Sequence, residues 1–306
     1  MTPYAIPGRL NLLLSASTLS IILTILYLCS KAQTAVEILG LAVLYGVFMN
    51  TGYALIHEAE HGMLHFSRKL NELCGVVLAL FFPAPFHLIR QGHIGHHMRN
   101  RSDDEAFDFY FERESRLWRW LQLYGTLTGF FWATIALSNF ISAISPSLLR
   151  KRITPFDRTT PALQESLNPR YERWIQLEAI AVFVLHASLV FAWFTPVINH
   201  LLVLSGFGFL WSAMQYAHHF GTERDVLRGA RNLRTLRLID RIWLNHNWHL
   251  NHHLRPTIPW IHLPTLFSGA EYEKRGSLLA AYLRMWRGPR FSADRVQNRF
   301  AGRIIQ

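Results

Sequence analysis

The chain lacks most of what a soluble or secreted protein would use. Of its 306 residues only two are cysteine, Cys29 and Cys74, and the first lies inside an apolar run. No disulfide framework can form, and there is no Cys cluster for zinc or an iron–sulfur centre, so any metal must be held by other ligands. Charged residues make up only 17% of the chain and hydrophobic residues 50%, which excludes a disordered protein. There is no glycine-rich dinucleotide fingerprint, no repeat, no low-complexity tract and no flexible linker. Acidic residues are scarce, 20 against 31 Lys and Arg, giving a net charge of +11. The basic residues carry no recognisable nucleic-acid motif, so the excess is read as topology and lipid headgroup contact, with no nucleic-acid partner.

What is present is apolar sequence in long uncharged runs, which points to one domain over residues 1–306 embedded in lipid. Residues 10–28 carry no charge and, as a helix, would cover roughly 28 Å, close to the hydrocarbon thickness. That run is longer than a signal-peptide core, and Arg9 is the only basic residue before it, so it is expected to remain as a span. Residues 38–56 form a second uncharged run that ends at His57, making a hairpin with the first. Residues 179–195 and 197–217, separated by Pro196, read as a second hairpin ending at His218 and His219.

Two further stretches are harder to place: 73–89, broken by Pro83 and Pro85, and 120–145, which carries Gln122, Thr126, Thr128, Thr134, Ser138 and Asn139. If the histidine clusters build one site, the chain must return to the same side between them. Both stretches are therefore expected to be interfacial or re-entrant. The fold class expected is all-α and integral to the membrane, with about four transmembrane helices in two hairpins, interfacial helices and a histidine-rich di-metal cap. Residues 150–173, with Arg150, Lys151, Arg152, Arg158, Arg170 and Arg173, then share a side with the clusters and the Arg-rich C-terminal part, which is the cytoplasm by the positive-inside rule.

Eight of the 16 histidines fall in three clusters. In His57-Glu58-Ala59-Glu60-His61 the two imidazoles stand four apart, on one face of a continuing helix. His93-Ile94-Gly95-His96-His97 and His249-Leu250-Asn251-His252-His253 each offer positions i, i+3 and i+4. A lone histidine on an apolar face is ordinarily a satisfied core residue, and His186, inside a span, is read so. His65, His87, His200 and His262 have no cluster partner and are read as structural. Imidazole suits iron, zinc, copper and nickel, so ligand type alone does not name the metal, but eight nitrogens exceed what one ion can use and argue for two. The first cluster also matches the two-His zinc protease pattern with Glu58, a reading that leaves the other two clusters unexplained. A His-rich metal transporter would carry its ligands within the spans, whereas these lie at their ends.

The order and spacing of HEAEH, HIGHH and HLNHH, with the two apolar hairpins, resembles the integral-membrane fatty acid desaturase and hydroxylase superfamily over roughly residues 10–265. The run QYAHHFGTERD from Gln215 to Asp225, followed by NWHLNHHLRPTIPWIHLP, is similar to bacterial acyl-lipid desaturases. The resemblance implies a non-haem di-iron centre, two iron ions cycling between Fe2+ and Fe3+, held by the eight box histidines. It adds a ninth ligand, His219, with His218 the competing candidate. Gln215 stands where many members have Asn. The resemblance and the general need to orient ligating imidazoles make Glu58, Glu60, Asp103, Asp104 and above all Asp108 candidates to hold them, with His246 a further contact.

The implied reaction is O2-dependent removal of two hydrogens from an acyl chain presented on lipid or as a thioester. The alternative within the superfamily is hydroxylation or ketolation of an alkane, sterol or carotenoid. With no flavin, NAD or haem expected in the chain, electrons come from a separate ferredoxin or cytochrome b5-like donor. Arg224, Arg228, Arg231, Arg234 and Arg237 are candidates to dock it. Gly52, Tyr53, Trp211, Tyr216 and Trp248 are candidates to line an acyl channel. The expected location is a bacterial inner membrane, with the active site and both termini on the cytoplasmic side.

Overall fold

The two N-terminal apolar runs form α1 (Gly8–Cys29) and α2 (Ala35–Glu60), packed as a hairpin. A capping box sets the start of α2: the Thr34 side chain accepts from the Glu37 backbone N–H, and the Glu37 carboxylate accepts in return from the Thr34 backbone N–H. In this computed structural model, which describes residues 4–150, 159–267, 269 and 274–305, the chain is predominantly helical with very short strands. Arg68–Ala79 and Phe86–Arg99 are α3 and α4; Arg116–Leu127 and Phe130–Ile144 are α5 and α6; Thr159–Ser166 is α7. The second hairpin is α8 (Glu172–Ala192) and α9 (Val197–Gln215). α10 (Arg237–Ile242), α11 (His249–Leu254) and α12 (Leu278–Met285) belong to the cap.

Among the described residues, four helices are long and apolar enough to cross a membrane: α1, α2, α8 with the turn before it, and α9. Leu13, Val36, Leu39, Val184, Phe191 and Leu201 stand exposed on them, as side chains covered by lipid would. Their inner faces meet in one core with α3, built around Leu26, Tyr45, Met49, Leu55, Leu78 and Phe207. Helices α2 and α9 cross where two glycines face each other. A Cβ added to Gly206 would lie 2.2 Å from the Ala42 carbonyl oxygen, and one on Gly46 would lie 2.9 Å from that of Gly206.

Where the sequence begins a span at residue 179, the helix reaches back to Glu172 and ends at Ala192, three residues before 195. Glu178, inside the longer helix, has partners there: its carboxylate lies 2.6 Å from His87 Nδ1 and also accepts from the His87 backbone N–H. His87 is thus a pin between α4 and α8. Arg170 and Arg173 are exposed at this end of α8, while Lys151, Arg152, Arg158 and the side chain of Arg150 lie outside the described residues.

Neither of the two harder stretches forms a single helix of spanning length. Helices α3 and α4 have 12 and 14 residues, too short to span, and meet in a turn over residues 80–85. A helix break among apolar helices frees carbonyls that have no water to bond, so they need other donors. Three different helices supply them. His186 Nε2 of α8 donates to the Leu80 carbonyl (3.0 Å), Tyr45 of α2 donates to that of Phe81 (2.7 Å), and the Trp132 indole of α6 donates to that of Phe82 (3.0 Å). His186 Nδ1 in turn lies 2.9 Å from His200 Nε2. Helices α5 and α6 are long and apolar enough to cross only if taken together, and they are bent by 91° at the break between them. The bend is at Gly129, with φ +87°, a left-handed conformation suited to glycine, and a Cβ there would come 2.9 Å from the Phe209 backbone.

Above the helix ends, two parallel strand pairs tie distant segments together: β1 (Phe109–Tyr110) with β4 (Arg290–Phe291), and β2 (Leu233–Arg234) with β3 (Gly276–Ser277). A second apolar cluster, including Leu123, Leu127, Met214, Leu233, Trp243 and Met285, seats this cap on α5 and α9.

Candidate metal centre

Box one sits on the last turn of α2, with His61 as its C-cap; box two is on α4 and box three makes most of α11. All three helix ends converge, and the nine predicted imidazoles fall into two groups. His57, His61, His93, His97 and His252 form one; His96, His219, His249 and His253 form the other. In each, one nitrogen per ring lies within 4.8 Å of all the rest.

Helix geometry explains the division. Residues four apart are rotated by roughly 40° and stay together, as in His57/His61, His93/His97 and His249/His253. Residues at i+3 turn roughly 60° the other way, so His96 and His252 reach across into the opposite group. The groups are adjacent, with the His97 and His253 ring centroids 4.3 Å apart.

The converging atoms are Nε2. His61 Nε2 lies 2.7 Å from His93 Nε2, and His97 Nε2 lies 3.1 Å from His93 Nε2 and 2.9 Å from His252 Nε2. In the second group His249 Nε2 lies 3.0 Å from His219 Nε2 and 3.2 Å from His253 Nε2. His57 Nε2 is buried without a hydrogen-bond partner. Burial, and then the neighbouring imidazoles, push His93, His97, His219, His249, His252 and His253 well below the usual histidine range. They are therefore neutral at pH 7, the state in which imidazole offers a lone pair to a metal. Neutral Nε2 atoms this close, one of them unpartnered, fit two cations and make poor neighbours without them.

The outer nitrogens show what orients the rings. Glu105 accepts from His96 Nδ1 at 2.6 Å and from Arg99 Nε at 3.0 Å. Burial raises the Glu105 carboxyl, but Arg99 and His96 outweigh it and hold it below the usual carboxylate range. The Gly229 carbonyl accepts from His219 Nδ1 at 2.8 Å. Sequence reasoning missed both partners. Glu105 lies in the acidic stretch after box two, one residue beyond Asp104, while a backbone carbonyl leaves no trace in a sequence.

The predicted carboxylates act elsewhere. Glu58 accepts from the Trp260 backbone N–H at 3.1 Å and so ties box one to the segment after box three. Glu60 reaches only within 3.9 Å of His93 Nδ1. Asp103 pairs with Arg224 and Arg295, and Asp104 accepts from Asn298. Asp108 touches no imidazole: it accepts from Arg101, from the Tyr216 hydroxyl and from the Gly221 backbone N–H. Although burial raises it, these partners hold the Asp108 carboxyl below its usual range.

His218 and His246 lie beside the groups but in neither. His218 Nε2 is 3.2 Å from Asn247 Oδ1, and its ring centroid is 4.7 Å from that of His249. His246 packs between His57 and His249, at 4.9 and 5.5 Å. Gln215 Oε1 accepts from the Tyr53 hydroxyl at 3.4 Å. Tyr53, 6.4 Å from His57, stacks on Phe82 and meets the edge of Trp211, an aromatic wall on the helix side of the centre. Trp248 lies under Arg275 and Gly52 packs on Met49, so neither belongs to that wall.

A zinc protease site would use His57, His61 and one more ligand; here three further imidazoles crowd those two. The family model described as fatty acid desaturase matches residues 35–286, which contain all nine imidazoles. None of the curated proteins compared matches the chain.

Proposed function

Because the chain belongs to the fatty acid desaturase family, we propose that it is a membrane fatty acid desaturase acting as one domain, with two iron ions held by its two histidine groups. Family membership makes it an integral-membrane oxidoreductase of a metal-dependent superfamily; iron, desaturation and the acyl substrate are the finer reading. The observation that carries it is the division of nine imidazoles into two adjacent groups. His57, His61, His93, His97 and His252 would hold one ion, and His96, His219, His249 and His253 the other. Bound there, the ions supply the O2-derived oxidant that an unactivated methylene requires and no side chain provides.

The chain's own residues do the rest. Glu105 and the Gly229 carbonyl accept from Nδ1 and so direct the Nε2 lone pairs of His96 and His219 inward. Tyr53, Phe82 and Trp211 keep water from the helix side and offer an apolar surface along which an acyl chain arrives from lipid. Electrons enter from the cap, on the cytoplasmic side of a bacterial inner membrane in this reading, from a separate donor. Arg228, Arg234 and Arg237 are exposed there and suit an acidic carrier, whereas Arg224 and Arg231 are taken up internally by Asp103 and the Phe220 carbonyl.

The test is acyl-chain analysis by mass spectrometry in a host lacking unsaturated chains, expressing this protein or His97→Ala. New chains lighter by two hydrogens, absent with the variant, are the expected result. Chains heavier by one oxygen would move the assignment to hydroxylase. Full activity of His97→Ala would remove that residue from the metal centre.

A further inference from the structure

His219 differs from the other eight imidazoles in having no helix to carry it. Helix α9 ends at Gln215, and residues 216–221 form successive turns before the chain continues across the cap. Helical periodicity therefore cannot fix where the His219 ring points, and something else must.

Two side chains from the segment just after box two hold this turn from both ends. The Tyr216 hydroxyl, three residues before His219, donates to Asp108 Oδ1 at 2.6 Å and accepts from Arg101 Nη1 at 2.8 Å. The Gly221 N–H, two residues after His219, donates to Asp108 Oδ2 at 2.7 Å. Arg101 completes the clasp: it pairs with both Asp108 oxygens and donates to the carbonyls of Thr222 and Glu223. Both residues are 1% exposed. Arg101 itself has φ +60°, uncommon for a residue with a side chain, and Gly221 has φ +67°, which glycine adopts readily. Next to Arg101, Asn100 Nδ2 donates to the Gly229 carbonyl, the group that receives His219 Nδ1–H. No side chain fits at Gly229, where a Cβ would stand 2.3 Å from Arg101 Cγ and 2.2 Å from the Asp225 carbonyl oxygen.

We propose that Asp108 and Arg101 are positioning residues for His219, aligning its Nε2 with His249 and His253, and that they govern occupancy of this one metal position while leaving the other intact. The inference rests on the two-metal reading above. Buried, fully bonded ionic clasps of this kind fix geometry as much as they add stability.

The experiment counts metal ions per chain, by elemental analysis of the full-length protein purified in nanodiscs after iron loading. Wild type is expected to hold two and His219→Ala one; a wild type holding fewer than two would defeat the two-metal reading itself, whatever the variants do. Given two in wild type, Asp108→Asn is expected to hold one ion with wild-type helical content. Retention of both, or loss of both from a folded protein, would overturn the proposal. Should Asp108→Asn fail to accumulate, Tyr216→Phe decides, since it removes only a hydroxyl. One of its two ions should then pass to a chelator about tenfold faster than in wild type while the other is unchanged. Wild-type release of both, or equal acceleration of both, would overturn it.

Discussion

At the scale of single residues, the candidate centre depends on what the outer imidazole nitrogens touch. Glu105 is the clearest case, because it holds His96 Nδ1 and is itself charge-paired with Arg99. Glu105→Gln keeps the shape and removes the charge. It is expected to weaken retention of one ion by roughly 10–100-fold, measured by chelator competition against wild type, with the second ion as internal control. Eight of the nine imidazoles were legible in the sequence because helical spacing and cluster order are local properties; His219 came only from the family resemblance. Their outer partners were not: Asp108 matched a pattern yet serves the turn around His219, and Glu58 sits inside box one yet reaches the Trp260 backbone. Such assignments depend on which way a side chain turns once the cap is folded, and nothing within a few residues of them encodes that.

At the scale of elements, the pair α3–α4 shows how apolar helices accommodate a break. The parity of the histidine clusters led to the expectation that residues 73–89 turn back, and the break itself falls at the prolines. The donors that make it tolerable come from α2, α6 and α8, and only His186 among them drew notice, as an ordinary core histidine. Removing one donor should be costly. Trp132→Phe keeps an aromatic ring but removes the indole N–H and strands the Phe82 carbonyl, which is expected to destabilise the protein by about 1–3 kcal/mol, read as a lower midpoint in reversible unfolding from bicelles. An unchanged midpoint would mean that another donor takes over. The division of box two between the two histidine groups follows from helix geometry too, but seeing it requires knowing that the imidazoles of α4 meet those of α11, as His97 meets His252 and His253.

At the scale of the whole molecule, charge and hydropathy separate into a lipid-facing body and a basic cap. The four spans were readable from uncharged runs, to within a turn or two. The helix begun at residue 179 in the sequence reaches back past Glu178 to Glu172, because Glu178 finds its partner, His87, on another helix. Of five arginines suggested for donor docking, folding leaves three exposed. Reversing Arg234 and Arg237 to Glu is expected to raise the donor concentration for half-maximal turnover at low ionic strength, with metal content unchanged and the difference fading as salt is added. Equal dependence on donor in variant and wild type would exclude this face as the docking surface.

The pinned turn between α3 and α4 also bears on the order in which the protein is made. Leu80 waits for a donor 106 residues further along the chain, and Phe82 for one 50 residues further. At synthesis rates of about 5–20 residues per second, the helix bearing His186 follows the turn by roughly 5–20 s. Until then the turn has no settled place among the apolar helices, so box two cannot take its final bearing, and box three has not yet been synthesised. Metal loading is therefore a closing step of biogenesis, and a chain halted before α8 would reach the membrane with its first two histidine boxes unassembled.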